Sequence, residues 1–259
     1  YLGVKLYTAT IMLAASVMAC GCAPARKELL SPFAHGSSRP LLPPTRPKVS
    51  ALVTGLLEKK KADHISVYFQ SLATGYWFGI NEQDEFMPAS LLKLPLAMGI
   101  MIKAETEPGL LDTKLALITP ENLLIPEFMP ARRLVTGREY TVETLIAHML
   151  EYSDNEATQT LIQHFTTEPL DKVLSDFGMA QASNDRDFLT VKQYLMLLLS
   201  LYNATYLNID MSQHLLEHLS RSAFGEGIAA GLPPGLHLAH KFGEREMQYT
   251  DDNVKQLHD

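Results

Sequence analysis

The sequence predicts an α+β fold, and three observations predict it. Leu91 to Ile102 is apolar on every side when drawn as a helix, which places that helix inside the core of a sizeable domain. Val142, Leu145, Ile146, Met149 and Leu150 recur at i, i+3, i+4, i+7 and i+8, the pattern of a helix with one buried face. Far downstream the period changes to strand-like alternation. Leu236, Leu238, His240 and Phe242 share one face there, and His237, Ala239, Lys241 and Gly243 the other. A chain of 259 residues with 46% hydrophobic content can bury one large core.

Taken in order, the first element is a leader. Lys5 precedes the apolar run Leu6 to Ala19, which is too short to span a bilayer comfortably and of the right length for a signal-peptide core. The two cysteines, Cys20 and Cys22, follow at once in a Cys-Gly-Cys step, so no structural disulfide is expected. Val17-Met18-Ala19-Cys20 resembles a bacterial lipoprotein processing site, with Met18 departing from the usual small residue. Lipidation at Cys20 would tether the mature protein to a membrane, and an ordinary cleaved signal is the alternative. Either reading exports the protein, to the periplasm or the cell surface. Residues 1–22 are thus assigned to the leader and 23–50, rich in Pro, Ser and Arg, to a flexible linker. Residues 51–259 form one domain.

That domain opens with a strand pair, Ile65–Leu72 and Tyr76–Glu82, turned at Ala73-Thr74-Gly75. Ser90 then opens the apolar helix, and Lys93 is the one charge in the stretch up to Ile102. Three residues separate them, so they share a face. A buried ammonium is costly without a partner or a task, and a serine beside a desolvated lysine is one way to build a nucleophile. The helix over Val142–Leu150 has Thr141 placed as its cap and runs out at Tyr152, where Ser153-Asp154-Asn155 follows. Alone, that tripeptide reads as turn chemistry. Pro169 to Phe177 makes a helix closed by Gly178, and Val191 to Tyr202 makes the next. On the last strand, a lysine followed two residues later by glycine allows close backbone approach of a ligand, with a cation beside it.

Composition excludes some functions. The net charge of −7 leaves no basic patch for nucleic acid. His214 and His218 are spaced i, i+4, but no third ligand is near them in sequence and no Glu follows His214. They read as helix-surface histidines, and neither metal nor cofactor is expected.

The blocks Ser90-Leu91-Leu92-Lys93, Ser153-Asp154-Asn155 and His240-Lys241-Phe242-Gly243-Glu244 stand in the order of the motifs of the serine β-lactamase and penicillin-binding-protein superfamily. The chain resembles that superfamily from about Ile65 onward, closest to class A β-lactamases. The hairpin and Gly231-Leu232-Pro233-Pro234-Gly235 before the last strand also fit. The resemblance implies a three-layer αβα sandwich, an antiparallel sheet flanked by helices plus an all-helical subdomain. It also implies roles. Ser90 would attack the carbonyl of a β-lactam or an acyl-D-alanyl peptide, and Lys93, its pKa lowered by burial and a neighbouring cation, would take the proton. Lys241 would supply that cation and hold Ser153, which relays a proton to the leaving nitrogen. Asn155 would bind the substrate's side-chain amide. The backbone N–H groups of Ser90 and Glu244 would form the oxyanion hole, with Gly243 and Glu244 lining the substrate. Asp154 is assigned a structural part.

Two departures from the family pattern stand out. Class A members carry a Glu-x-x-Leu-Asn loop whose glutamate activates the deacylating water. Here only Met179 to Phe188 separates two helices, and Glu168-Pro169 reads as a first helical turn. Asp185 and Asp187 are the substitutes at hand. Phe242 replaces a hydroxyl residue that grips the substrate carboxylate, although alternation would turn it away from Lys241, and Arg245 is the replacement grip at hand.

Three functions follow from this reading: a class A-like β-lactamase, a D,D-peptidase acting on peptidoglycan stem peptides, or a non-catalytic cell-wall-binding lipoprotein. Each is expected as a monomer, with membrane contact only through the N-terminal anchor. The chain begins at Tyr1 inside a leader and ends at Asp259 soon after the Lys241 strand. The resembling proteins continue with two more strands and a closing helix. On that reading Leu236–Gly243 does not pair with Ile65–Leu72, and backbone groups stay unpaired along the gap.

Overall fold

A single helix, Lys93–Thr106, organises the molecule, because every residue from Lys93 to Met101 is buried. The computed structural model describes residues 11–13, 16–18, 45–120, 133–179, 189–233 and 235–243. In chain order these hold strands β1 (Ile11–Leu13) and β2 (Ser16–Met18), helix α1 (Thr45–Glu58), the hairpin β3 (Ile65–Gln70) and β4 (Trp77–Ile80), and β5 (Glu85–Phe86). The central helix is α2, followed by β6 (Lys114–Ala116), β7 (Glu139–Thr141), α3 (Val142–Glu151), α4 (Asn155–Phe165) and α5 (Glu168–Asp176). Then come β8 (Leu189–Thr190), α6 (Val191–Tyr202), α7 (Ile209–Ser220) and β9 (His237–Ala239). The α+β class expected from the sequence is what forms.

Local chemistry explains most boundaries. Thr141 caps α3 by accepting from the Thr144 N–H, and Thr190 caps α6 in a reciprocal pair with Gln193. Gly178, at φ +66, ends α5 in the left-handed conformation that a side chain disfavours. α2 lies against α3, α5 and α7, and its apolar residues join Leu145, Met149, Val173 and Leu219 in the larger core. Each fully buried side chain of this kind contributes roughly 1.5–3 kcal/mol. Gly99 lets α2 and α5 meet, since a Cβ there would lie 2.1 Å from the Pro169 carbonyl oxygen. A smaller core joins Val53 of α1 to Ile65, Val67 and Phe78 of the hairpin. α1 begins inside the segment read as a linker, whose remainder lies outside the described residues.

The sheets depart from expectation in two ways. β9 is only three residues long, so the alternation read from Leu236 to Gly243 does not continue through the lysine. β3 and β9 do not pair with each other, as expected, but their edges are not bare. β1 lies parallel to β3, with Ile11 opposite Ile65, and β2 lies antiparallel to β9, with Val17 opposite Leu238. An open strand edge offers a row of unsatisfied N–H and C=O groups, and an apolar segment is a ready partner for it. Among the described residues no helix is long and apolar enough to cross a membrane.

Candidate active site

Ser90 stands on a 3-10 turn, Ala89–Leu92, directly before α2. The turn is closed by the Leu91 N–H, which donates to the Pro88 carbonyl at 2.9 Å, and is anchored by the buried Leu91 side chain. Ala89 has φ +47, a left-handed conformation that is rare without glycine. Such positions cluster at functional sites because the surrounding packing must hold them there. Ser90 itself is partly exposed at the mouth of the site.

Lys93 begins α2 with its side chain 5% exposed. Its ammonium donates to the Ser153 carbonyl oxygen at 2.6 Å, to Ser153 Oγ at 3.1 Å and to Asn155 Oδ1 at 2.6 Å. Burial lowers its pKa to about 7, against a weaker opposing pull from the Asp154 carboxylate. Burial, one of the two causes expected, is the leading one. The hydrogen bonds of Lys93 run to Ser153 and Asn155.

Ser153 sits between α3 and α4 at φ +54, again left-handed without glycine. Its hydroxyl accepts from Lys93 and also from Lys241, whose Nζ is 2.9 Å away. A hydroxyl has two acceptor lone pairs and one hydrogen. With both lone pairs taken by amines, that hydrogen is left to point elsewhere. Asp154 has the structural part assigned to it. Its Oδ1 accepts from the Ala157 N–H at 3.0 Å and caps α4. Burial opposes its ionisation, but His148 and the Ala157 and Glu156 N–H groups outweigh it and hold the carboxyl below its usual range.

Lys241 is 4% exposed and also donates to the Phe242 carbonyl at 2.7 Å. Its ammonium lies 4.2 Å from the Phe242 ring centroid, and that ring stacks on Phe224. Phe242 is thus not turned away from Lys241. The strand has ended at Ala239, so period-two alternation no longer governs these residues. Gly243 comes against the serine turn, where a Cβ would meet Leu91 Cγ at 3.0 Å and the Pro88 oxygen at 3.1 Å. What lies close to this glycine is the turn that carries Ser90.

Ser90, Lys93, Ser153, Asn155, Lys241 and Gly243 thus come from three stretches far apart in sequence, and hydrogen bonds and packing join them. Glu244 and Arg245, the replacement grip, lie outside the described residues, as do Cys20, Asp185 and Asp187. Glu168 lies at the start of α5, as read, with its carboxylate 2.8 Å from Lys103 Nζ. Lys103 is ten residues along α2 from Lys93, roughly 15 Å at the helical rise. The left-handed Ala89 carries no sequence signal, since alanine rarely adopts that conformation. The engagement of Asn155 by Lys93 joins residues 62 apart and was equally hidden.

Residues 47–254 match the profile of the Beta-lactamase enzyme family. A curated β-lactamase from Citrobacter koseri is 24% identical over 234 residues, covering 83% of this chain and 79% of that one. A class A β-lactamase from Mycobacterium abscessus superposes with a TM-score of 0.64 at 25% identity, covering 73% of this chain and 77% of that one. PBP-A, solved as a mutant in an acyl-enzyme complex with penicillin G, superposes with a TM-score of 0.62 at 20% identity, covering 78% of this chain and 80% of that one.

Proposed function

The chain belongs to the Beta-lactamase enzyme family, and from that premise we propose that it is a serine hydrolase acylated by β-lactams at Ser90. The observation that carries this reading is the Ser153 hydroxyl, bridged between Lys93 and Lys241 at 3.1 and 2.9 Å. Ser90 Oγ attacks the lactam carbonyl carbon as neutral Lys93 takes its proton. The C–N bond then breaks, the leaving nitrogen takes the Ser153 hydrogen, and Ser153 is reprotonated from Lys93. Atoms and charge balance, and Lys93 ends neutral. With its pKa at about 7, Lys93 is a base for a useful fraction of molecules at neutral pH. Lys241 fixes the hydroxyl and keeps positive charge beside it. The similar protein from Mycobacterium abscessus is a class A β-lactamase, and this chain is proposed to share that activity.

Hydrolysis of the acyl-enzyme is proposed to be slow. Glu168, the glutamate nearest the expected loop, is turned to Lys103. Only residues 177 to 190 separate α5 from α6, a short interval for a loop that must position a water. The same observation favours a second reading, a D,D-peptidase acting on peptidoglycan stem peptides, and likeness to PBP-A supports it. Export belongs to the proposal too, supported by the leader pattern and by Cys20 as the site of a lipid anchor.

Two assays on the purified chain test these readings. A fluorescent penicillin should label it covalently, and nitrocefin should turn over slowly or not at all. Rapid multiple turnover of nitrocefin would contradict slow deacylation and set aside the peptidase reading. Absence of labelling would remove both and leave a non-catalytic wall-binding protein.

A further inference from the structure

A second cluster of chemistry lies on the outer side of the helical core, where α3 meets α7. Glu143, in the first turn of α3, directs Oε1 between two histidines of α7, 2.7 Å from His214 Nε2 and 2.9 Å from His218 Nε2. The three donor groups lie within 4.8 Å of one another. The structure corrects the sequence reading here. His218 is 3% exposed and is no surface residue, and the third ligand absent nearby in sequence is supplied from 71 positions before His214.

We propose that Glu143, His214 and His218 bind a divalent cation of the zinc class, clamping α3 to α7. Four observations carry this. The donor set is two imidazoles and one carboxylate, which suits zinc and its transition-metal neighbours rather than calcium or magnesium, whose ligands are oxygens. The two rings meet nearly edge to face, with planes at 73°, so both Nε2 atoms converge on one point instead of stacking. Glu143 Oε2 is buried without a hydrogen-bond partner, so the contacts of this carboxylate are those that Oε1 makes with the two histidines. A carboxylate also stands behind the buried histidine, with Glu151 Oε1 2.8 Å from His218 Nδ1. That is the outer contact which orients a metal-bound imidazole.

The protons can be placed in three ways. Arg221 Nη2 is 2.7 Å from His218 Nδ1 and Arg221 Nε is 2.7 Å from Glu151 Oε1, so a donor and an acceptor both address that ring nitrogen. Nδ1 accepts from Arg221 and Nε2 donates to Glu143, or Nδ1 donates to Glu151 and Nε2 keeps its lone pair, or both nitrogens are protonated and donate to the two carboxylates. A cation on Nε2 selects the second arrangement and displaces the protons that otherwise bridge Glu143 to the histidines. Tetrahedral ligands at about 2.0–2.1 Å stand roughly 3.3 Å apart, so the two Glu143–histidine separations of 2.7 and 2.9 Å must each open by about half an ångström. His214, with its side chain 41% exposed, has room to move.

The clamp sits behind the wall that holds Ser153 and Lys241. α3 ends at Glu151, two residues before Ser153, and the Leu219 carbonyl near the end of α7 accepts the His240 N–H at 3.2 Å. Metal binding would thus brace α3, which leads into Ser153, and α7, which holds the backbone of the residue before Lys241.

The test uses the full chain with Cys20→Ser and Cys22→Ser, which removes competing thiols, after treatment with chelator. Zinc titrated by calorimetry should bind at one equivalent and raise the Tm. Cobalt should give a visible absorption band without a thiolate charge-transfer band. His214→Ala should weaken zinc binding at least tenfold while keeping the parent circular dichroism, and Glu151→Gln should weaken it by about 10–100-fold. No zinc binding by the parent, no cobalt spectrum, or unaltered stoichiometry and affinity in His214→Ala would each overturn the proposal. Should His214→Ala fail to fold, the cobalt spectrum of the parent decides.

Discussion

Ser153 receives the Lys93 ammonium at two of its own atoms, the carbonyl oxygen at 2.6 Å and the hydroxyl oxygen at 3.1 Å. A residue can present both acceptors to one donor here because its backbone, at φ +54, turns back toward α2 between two helices. The same hydroxyl takes Lys241 at 2.9 Å. One strained residue therefore holds two buried ammonium groups, and a proton can pass through it.

The first prediction concerns that residue. Ser153→Ala should slow covalent labelling by a fluorescent penicillin by about 10²–10⁴-fold, the usual size of a lost proton-transfer group. Ser153→Gly should lose as much, and because glycine adopts positive φ without steric strain it removes the hydroxyl without distorting the backbone. Labelling at the parent rate in Ser153→Gly would show that the hydroxyl carries no proton.

The fold was legible wherever local chemistry decides it. Thr141 and the spacing of Val142, Leu145 and Met149 marked α3, and Gly178 marked the end of α5, since caps and periodicity act within one element. Ser90, Lys93, Ser153 and Lys241 were legible as motifs. What joins them was not. Lys93 meets Asn155 across 62 residues and His218 meets Glu143 across 75, and no local pattern encodes such pairs. Phe242 was misplaced for another reason, because alternation was carried past the point where the strand stops pairing.

The pH dependence of labelling follows from Lys93. Only its neutral form can accept the Ser90 proton, and burial brings its pKa down to about 7. The labelling rate should therefore rise as pH increases through about 7 and level off above it. A rate independent of pH between 5.5 and 8.5 would contradict Lys93 as the base, as would full activity in Lys93→Arg, which stays charged.

Packing of α2 on α5 gives a stability prediction. Gly99→Ala would bring a Cβ to 2.1 Å from the Pro169 carbonyl oxygen, which is backbone and cannot swing aside. Overpacking of this kind costs about 1–3 kcal/mol, or roughly 2–12 °C in Tm for a domain of this size. An unchanged melting curve would show that the two helices separate freely.

Glu168 should be a bystander in deacylation. Its carboxylate is 56% exposed and paired with Lys103. Glu168→Gln should leave the lifetime of the penicillin adduct unchanged, at minutes or longer by intact mass, and should change stability by no more than about 1 kcal/mol. A lifetime lengthened tenfold in this variant would identify Glu168 as the base.

The most direct test of the central claim is intact-mass spectrometry of the purified chain incubated with penicillin G, followed by peptide mapping. The account predicts a single adduct of the mass of the antibiotic, located on Ser90 and absent from Ser90→Ala. An unmodified parent protein, or an adduct that persists in Ser90→Ala, would contradict it.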